Sequence, residues 1–353
     1  MRRSALVHRF RSEVTPDGNT FSFLVDSGFV VALGPGLVAG TPLLERVLGR
    51  VEETLLSSVG ALGVQQASLP ASEGEALVNL LAHLGWAGAQ SGLAALGTGF
   101  RETVTQAEDL SGLSLYRRLD IVRLEGGSSE ASESAAAGDV VTAVLGALAE
   151  LGVPGPERDE SGVIRAGGAV VGHAVRRSLQ QDPDESNEVQ SGAAPHVPDN
   201  LLLLDLDLYA VVGVLAEHHR DDRGVCWPPA CAPYDVALVE AAGEDVAARQ
   251  TSRKLEAELE TAGFAVLRDD TGEPAGAQRQ AAERLGIPIR VLCGPMCAQG
   301  VVVVEVRRGG AVPERVPVAG LMEWLERHSE YPLSSRTPLR RDAGRTRRLR
   351  ALY

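Results

Sequence analysis

Four cysteines are the residues of this chain whose type and spacing most directly suggest chemistry. Cys226 and Cys231 are separated by four residues, and Cys293 and Cys297 are separated by three. Thiolates at such short spacings can contribute to zinc sites, but no nearby histidine completes a zinc-binding pattern for either pair. The sequence therefore predicts no metal site, and it favours buried or idle thiols in a reducing cytosol.

Arginine is concentrated at the end of the sequence, where its charges could contact phosphates. Such a basic run is typical of a disordered arm that binds nucleic acid or an acidic partner, and a solvated terminus without a role is the alternative. We therefore predict a basic, disordered tail over 331–353. The tail residues that we predict to bind nucleic acid are Arg340, Arg341, Arg347 and Arg348.

The composition limits the classes of protein to which the chain can belong. Its 353 residues are 44% hydrophobic and 23% charged, which suits a soluble protein of about two domains. The net charge of −13 excludes a general polyanion binder, so any contact with nucleic acid must come from a local basic patch. No stretch reaches the ~20 apolar residues of a membrane span. No apolar signal core follows the first residues, so we expect a cytoplasmic protein without membrane contact.

The stretch from 234 to 292 alternates between strand-like and helical patterns. Strand, helix, strand, helix and strand joined by short loops indicate a parallel α/β unit. Parallel strands bring the loops at their carboxyl ends to one edge of the sheet, where functional groups collect. The predicted strands are 234–239, 264–267 and 287–292, and the predicted helices are 245–262 and 276–285.

This stretch resembles the anticodon-binding domain of class II aminoacyl-tRNA synthetases, and most closely that of bacterial-type prolyl-tRNA synthetases. The residues that carry the resemblance are Trp227-Pro228, Ala232-Pro233-Tyr234, Asp269-Asp270, Gly276 and Leu285-Gly286-Ile287-Pro288. The resemblance implies that Asp269, Asp270, Gln278 and Arg279 lie where the family binds tRNA. The family usually has an arginine where this chain has Thr271 and a lysine where it has Gln278.

An amphipathic helix is predicted over 43–59, because apolar residues recur at helical spacing with charged residues on the opposite side. A strand over 64–69 and Pro70 follow it. This order resembles motif 1 of class II synthetases, which implies a homodimer formed through the 43–59 helix. An ordinary surface helix packed on a sheet is the alternative. A shorter helix is predicted before it, over 20–32.

Two further stretches resemble the paired strands of motif 2. They are 99–103, Gly-Phe-Arg-Glu-Thr, and 113–124, which contains Tyr-Arg-Arg-Leu-Asp. In an active member of the family, Arg101 would grip the ATP α-phosphate, Thr103 would stand at the position of the adenine-reading glutamate, and Arg117 would lie on the return strand. His173 falls at a histidine of the family, although a lone histidine on a strand is usually structural.

The strand predicted over 201–208 and the helix over 209–218 resemble motif 3. In the family, glycines let the backbone approach the nucleotide and an arginine pairs with its γ-phosphate. In this chain, Asp205 and Asp207 stand at the positions of the family's glycines, and Ala210 stands at the position of its arginine. Two aspartates would repel a triphosphate, by roughly 4 kcal/mol for each like-charge contact at ~4 Å and an effective dielectric constant near 20.

Two features of the family are missing from the sequence. The interval 74–96, which is predicted to be helical, lacks the Thr-His-Glu-Glu loop that holds the ammonium group of proline. The interval between motifs 2 and 3 is too short for an editing domain, since 126–138 reads as a linker, 139–151 as a helix and 178–200 as a polar loop.

These patterns predict an α/β fold with a class II synthetase-like antiparallel sheet and helices, followed by an anticodon-binding-like α/β domain. The predicted domains are a catalytic-core-like domain over 1–225, an anticodon-binding-like domain over 226–330 and the tail.

The functional hypothesis is a degenerate prolyl-tRNA synthetase paralogue, a pseudoenzyme that acts as a dimeric tRNA- or nucleic-acid-binding or regulatory subunit. A protein partner is also compatible with this hypothesis. The first alternative is an active amino-acid-activating ligase that uses ATP and Mg²⁺, either a proline–tRNA ligase or a ligase of altered substrate, with Arg101, Thr103, Arg117 and His173 as its site. The second is a nucleic-acid-binding protein that works through its arginine-rich tail and the α/β domain.

Overall fold

The computed structural model describes residues 1–3, 20–34, 37–68, 78, 80, 92–100, 115–125, 130–178, 200–221, 223–240, 245–307 and 312–328. The side chains of 131–139 are not among the described parts. The described residues divide into two compact units. The first unit lies within Arg9–Arg220, and the second comprises residues within Asp221–Tyr353 together with those of Met1–His8.

The first unit is built on a seven-stranded sheet with the strand order β3-β4-β5-β9-β8-β7-β6. Its neighbouring strands are antiparallel, except that β3 runs parallel to β4. In chain order the unit contains α1 (Thr20–Asp26), β1 (Val30–Gly34), β2 (Leu37–Gly40), α2 (Pro42–Gly60), β3 (Val64–Ala67), β4 (Gly92–Phe100), β5 (Leu115–Glu125), α3 (Glu130–Glu150), β6 (Glu157–Arg158), β7 (Val163–Ala166), β8 (Ala169–Ser178), β9 (Asn200–Asp207) and α4 (Leu208–His218).

Helix α2 shows why the sequence folds as it does in this unit. Thr41 caps its first turn, because the Thr41 hydroxyl accepts a hydrogen bond from the Leu43 amide at 3.2 Å. Its apolar residues, spaced three or four apart, are buried against α3 and α4. The helix predicted over 43–59 is therefore confirmed, with one more residue at each end.

Three predicted elements of the first unit are wrong at their bounds. The helix predicted over 20–32 ends at Asp26, because Gly28 turns the chain with φ of 74° and the β-branched Val30 begins β1. The end of the 74–96 interval is not helical, because β4 begins at Gly92 and pairs with β3 and β5. The linker predicted over 126–138 is helical from Glu130, where α3 begins.

The second unit is built on a five-stranded sheet with the strand order β13-β12-β14-β15-β16. Its elements are β12 (Val236–Glu240), α5 (Val246–Thr261), β13 (Val266–Asp269), α6 (Ala275–Arg284), β14 (Ile289–Cys293), a 3-10 helix (Pro295–Gln299), β15 (Val301–Val306), β16 (Glu314–Pro317), a second 3-10 helix (Val318–Gly320) and α7 (Leu321–His328). Between the two large sheets in the sequence, β10 (Arg220–Asp221) and β11 (Gly224–Val225) form a two-stranded sheet.

The parallel α/β unit predicted for this part of the chain is confirmed. Strand β12 runs parallel to β13 on one side and to β14 on the other. Strands β15 and β16 continue the sheet in antiparallel fashion, and the sequence analysis did not anticipate β16. Leu255 and Leu259 of α5 and Trp324 of α7 are buried in one apolar cluster with Val291 of the sheet.

A network of charged side chains lies where α6 packs on the sheet. Arg290 of β14 is paired with Glu305 of β15 in the strand register, and Arg290 Nε lies 3.2 Å from Glu305 Oε2. From α6, Glu283 lies 2.7 Å from Arg290 and Arg279 lies 2.7 Å from Glu305. Because Arg290 and Glu305 are both buried, each needs the opposite charge of its partners.

Among the helices that the structure describes, none is long and apolar enough to cross a membrane. Within the same residues, no three histidine, cysteine, aspartate or glutamate side chains are grouped so that they could hold a metal ion.

Candidate functional site

Three adjacent strands of the first sheet, β5, β9 and β8, bring four polar side chains to one face. Asp120 of β5 lies opposite Asp205 of β9, and Asp205 lies opposite His173 of β8. Side chains of a strand alternate between the two faces of a sheet, so Arg118 shares the face of Asp120. The antiparallel register therefore builds a cluster of two aspartates, one arginine and one histidine.

The charges of this cluster are largely paired within it. Arg118 Nη2 lies 2.8 Å from Asp120 Oδ1 and 4.0 Å from Asp205 Oδ1. His173 Nδ1 lies 3.5 Å from Asp205 Oδ2. Asp120 is buried, whereas about half of the His173 side chain (52%) and 30% of the Asp205 side chain are exposed. An incoming ligand would therefore meet His173 and Asp205 first.

The close pairing of β8 and β9 depends on Gly172. A Cβ atom at this position would lie only 2.1 Å from the backbone oxygen of Asp205. Gly172 thus allows the backbone of β8 to approach β9 and places His173 beside Asp205.

The amino-terminal end of α4 lies directly after the aspartates of β9. Asp207 Oδ1 accepts hydrogen bonds from the amides of Tyr209 and Ala210, at 2.9 and 3.0 Å. Ala210 itself is buried, with 2% of its surface exposed. The first free amides of this helix, which could otherwise bind an anion, are thus satisfied by a side chain of the same chain.

Arg117 lies on the opposite face of β5 from Arg118. Its Nε lies 2.7 Å from Glu52 Oε1 on α2. Burial raises the pKa of Glu52 above its ordinary value, although Arg117 acts in the opposite direction. Arg117 and His173 are both predicted for a nucleotide site, but the structure places them on opposite faces of the sheet. Arg101 and Thr103 lie outside the described residues.

A second candidate site lies at the carboxyl ends of the parallel strands in the second unit. Because β12, β13 and β14 are parallel, Glu240, Asp269 and Cys293 end at the same edge. Arg3 Nη1 lies 2.6 Å from Asp269 Oδ2 and 2.7 Å from Glu273 Oε2.

Residues 1–3 run beside β13 and are joined to it by backbone hydrogen bonds. The Met1 nitrogen donates to the Val266 oxygen at 2.8 Å, and the Arg268 amide donates to the Met1 oxygen at 2.9 Å. Arg2 forms a parallel bridge with Arg268. This pairing positions the Arg3 side chain over the loop that follows β13.

The residues predicted to bind nucleic acid have different surroundings at this edge. Asp269 also accepts a hydrogen bond from the Thr271 hydroxyl at 2.6 Å, and Asp270, the next residue, is partly buried. Gln278 is buried, and its amide group bonds with the backbone of Glu240 and Glu273.

Arg279 is partly exposed and ion-paired with Glu305. Among these candidates it therefore offers a cationic side chain that solvent and a ligand can reach. Arg340, Arg341, Arg347 and Arg348 lie outside the described residues.

All four cysteines are free thiols. Cys293 ends β14, Cys297 lies in the 3-10 helix that follows, and both side chains are buried in the same apolar cluster. The sequence predicts buried or idle thiols, and Cys231, Cys293 and Cys297 are buried.

Comparison with known proteins shows similarity of sequence and fold to prolyl-tRNA synthetases. A family model described as an anticodon-binding domain matches residues 235–328. A proline–tRNA ligase of Exiguobacterium sibiricum is 37% identical over 112 residues, which are 32% of this chain and 20% of the ligase. A proline–tRNA ligase of Ligilactobacillus salivarius is 28% identical over 153 residues, which are 43% of this chain and 27% of the ligase. The aligned segments thus span less than a third of these curated relatives.

The fold also matches a solved structure over both units. The crystal structure of prolyl-tRNA synthetase from Cryptosporidium parvum complexed with halofuginone and AMPPNP superposes with a TM-score of 0.68 at 14% identity. The match covers 87% of this chain and 74% of that synthetase, and it bears on the fold alone. The predicted fold class is therefore confirmed. The chain is thus similar to bacterial proline–tRNA ligases, has the fold of a prolyl-tRNA synthetase, and matches the anticodon-binding domain model over residues 235–328.

Proposed function

We propose that the chain is a prolyl-tRNA synthetase-like protein without aminoacylation activity, which acts in the cytoplasm as a dimeric RNA-binding or accessory protein. One observation is the main support for the proposed loss of activity. Asp207 caps α4, and the buried Ala210 follows it at the position where the family resemblance expects an arginine for the γ-phosphate. Ala210 offers no charge to a phosphate, and the helix amides are already bonded to Asp207.

The electrostatics of the neighbouring cluster support the same proposal. Arg118 is the one arginine of that cluster, and Asp120 already holds it in an ion pair. The exposed carboxylate of Asp205 would face a triphosphate directly. The described residues of this face therefore do not fit ATP, because stabilisation of a transferring phosphoryl group requires positive charge aimed at its oxygens.

The similarity of residues 235–328 to anticodon-binding domains supports RNA as the partner. Arg279 offers a partly exposed guanidinium for phosphate contacts. Thr271 and Gln278 stand where the family usually has basic residues, and Gln278 is committed to backbone hydrogen bonds. We therefore propose that the chain binds RNA with a preference that differs from recognition of the proline anticodon.

Amino-acid-dependent ATP–pyrophosphate exchange tests the proposed loss of activity. The purified full chain is assayed with proline and then with all other amino acids, beside an active proline–tRNA ligase as the positive control. We expect exchange at background level for every amino acid. Exchange above background with any amino acid would contradict the proposal and would favour an ATP-dependent ligase.

A filter-binding titration with a labelled tRNA pool tests the proposed RNA partner. Each contact between an arginine and a phosphate weakens as salt is added, so we expect affinity to fall with ionic strength. The full chain, Arg279→Ala and a truncation after Ser335 are compared. Unchanged affinity after truncation would assign binding to the anticodon-binding domain, whereas complete loss would assign it to the tail. No binding by the full chain at low salt would contradict the RNA-binding proposal.

A further inference from the structure

The solvent-facing side of α5 is basic in the first half of the helix. Arg249, Arg253 and Lys254 are all exposed there, and Arg249 and Arg253 lie one helical turn apart. The opposite side of α5 packs into the apolar cluster of the second unit, for example through Leu255. Lys254 Nζ lies 3.6 Å from Glu258 Oε1, in an exposed pair that water and salt weaken. The three cations therefore form one face that a ligand can reach.

The side-chain charges of α5 are placed against the helix dipole. The amino-terminal end of a helix favours negative side chains, and the carboxyl-terminal end favours positive ones. In α5, Arg249 lies in the first turn, whereas Glu258 and Glu260 lie in the last turn. The cap Asp245 already satisfies amides of the first turn, since its Oδ1 accepts a hydrogen bond from the Ala247 amide at 2.8 Å. The stability of the helix therefore does not account for the cations in its first half.

This basic face begins at the edge of the sheet where the carboxyl ends of the parallel strands meet. Strand β12 ends at Glu240 and α5 begins at Val246, so the first turns of the helix start from that edge. The 3-10 helix Pro295–Gln299, which follows β14, packs against α5. In open α/β sheets, ligands bind outside the carboxyl ends of the strands. The cations of α5 are thus placed where a ligand of this sheet is expected.

The loop after β13 lies at the same edge and has the opposite charge. Asp269, Asp270 and Glu273 supply three carboxylates there, and Thr271 stands where the family usually has an arginine. Arg3 lies 2.6 Å from Asp269 and 2.7 Å from Glu273, so its charge is used within the chain. Three carboxylates against one arginine leave this part of the edge negative, and a negative surface repels phosphate.

We propose that Arg249, Arg253 and Lys254 of α5 bind the phosphate backbone of an RNA, in place of the loop after β13. The inference rests on the RNA-binding function proposed above, and it names the surface that holds the backbone. Arginine and lysine side chains donate charge-assisted hydrogen bonds to phosphate oxygens, which position an RNA without reading its bases. Helix α5 therefore supplies affinity with little preference for the sequence of the RNA.

Lys254 allows this contact to be measured in the unaltered full chain, because it is the one lysine of the sequence. The folded protein is treated with an acetylating N-hydroxysuccinimide ester, with and without a tRNA pool at low salt, and is then digested with trypsin. Trypsin does not cleave after acetylated lysine, so an accessible Lys254 yields the 254–268 peptide and a protected one yields the 255–268 peptide. We expect the tRNA pool to increase the yield of the 255–268 peptide, and added salt to reverse the increase.

A pair of glutamine variants tests whether α5 contributes affinity. Arg253→Gln removes one phosphate contact, so we expect the affinity for the tRNA pool to fall about fivefold at low salt. The slope of log affinity against log salt concentration should decrease by about one. Arg315→Gln is the matched control, because it removes the same charge at an exposed position of β16. Arg315 lies opposite Val303 in the strand register, and the neighbouring Val316 faces the apolar cluster under α5, so Arg315 points to the other face of the sheet.

Thermal unfolding separates loss of a contact from loss of the fold. Glutamine and arginine have similar helix propensities, so Arg253→Gln should unfold at the same temperature as the unaltered chain while its RNA affinity falls.

Three outcomes would contradict the inference. If the full chain binds RNA but Lys254 is not protected and Arg253→Gln binds as tightly as Arg315→Gln, RNA binding belongs to other residues and α5 has no part in it. If poly-glutamate protects Lys254 as well as the tRNA pool does at equal charge concentration, the occupant is an acidic protein and not RNA. If the full chain does not bind RNA at low salt, the proposed function fails together with this inference.

Discussion

Arg3 and Asp269 form an ion pair that ties the first residues of the chain to the loop after β13, with 2.6 Å between Nη1 and Oδ2. Both side chains are largely buried, and Glu273 binds the same Arg3 nitrogen. Charge-assisted hydrogen bonds of this kind are stronger than neutral ones, so the pair fixes the end of β13 and the start of the following loop, where the predicted RNA-binding residues Asp269 and Asp270 lie.

Replacement of Arg3 should therefore destabilise the second unit. We expect Arg3→Ala to lower the free energy of unfolding by about 2 kcal/mol, because it removes a charged partner from a buried carboxylate. Urea denaturation followed by circular dichroism measures the change. Arg2→Ala is the matched control, since the Arg2 side chain is exposed and takes part in the same backbone pairing. Equal losses in the two variants would show that the ion pair contributes nothing specific.

The cap that Asp207 provides for α4 gives a second prediction. Asp207→Ala leaves the amides of Tyr209 and Ala210 without their acceptor, so we expect a loss of about 1 kcal/mol in the free energy of unfolding. Asp207→Asn keeps a side-chain oxygen at the same place and should retain most of the stability. If both variants lose stability equally, the negative charge and not the capping bond stabilises this helix end.

The largely buried carboxyl group of Glu52 leads us to expect that the free energy of unfolding depends on pH. Because burial raises the pKa of Glu52, the folded state binds a proton more readily than the unfolded state does. Stability contributed by this group is therefore lost as pH rises from the ordinary glutamate pKa through the raised one. The free energy of unfolding of Glu52→Gln minus that of the unaltered protein should increase across this window. Glu53→Gln, on the same helix, is the control, and a flat difference for Glu52→Gln would contradict the prediction.

Replacement by alanine should have opposite effects on stability at two glycines of the first unit. Gly172→Ala places a Cβ atom 2.1 Å from the Asp205 oxygen, so β8 and β9 must separate and we expect strong destabilisation. Gly146 lies exposed in α3 with no atom within 4 Å of an added Cβ. Gly146→Ala should therefore stabilise the protein by up to about 1 kcal/mol through helix propensity. Thermal unfolding of the two variants checks the contrast, and similar shifts would contradict it.

The sequence predicts a homodimer through the 43–59 helix. Because the apolar face of α2 is buried within its own unit, we expect the interface to include the adjoining hairpin of β1 and β2. Val31, Leu33 and Leu37 expose apolar side chains just before α2, and 62% of Leu33 is exposed. We expect Leu33→Glu to convert a dimer into a monomer in sedimentation velocity, because burial of a charge in an interface is costly. Val175 on β8 is also apolar, and 42% of its surface is exposed. Val175→Glu should leave the dimer intact. A dimer that survives Leu33→Glu would place the interface elsewhere.

Elements with a regular apolar pattern could be predicted from the sequence. Helix α2 follows the helical spacing of its apolar residues, and β15 follows its run of four valines. The start of β4 could not be predicted, because Gly92 and its neighbours have low strand propensity. They are extended only through pairing with β3 and β5.

The candidate sites were predicted less completely than the fold. The family resemblance pointed to His173 and Asp205 separately, but the strand register shows that they are neighbours with Asp120 and Arg118. Long-range partners such as Glu52 for Arg117 and Arg3 for Asp269 are separated by tens to hundreds of residues, so no local spacing indicates them.

The ion pair between Arg290 and Glu305 has a consequence for how the second sheet assembles. Strand β15 reads Val-Val-Val-Val-Glu-Val, so its apolar residues alone would tolerate alternative pairings with β14. A slip by two residues would place Arg290 opposite Val303 in one direction and opposite Arg307 in the other. Breaking one buried ion pair costs about 3–5 kcal/mol even though Glu283 and Arg279 stay nearby, so misaligned sheets are disfavoured. One arginine and one glutamate thus select a single register from a strand that is otherwise almost repetitive.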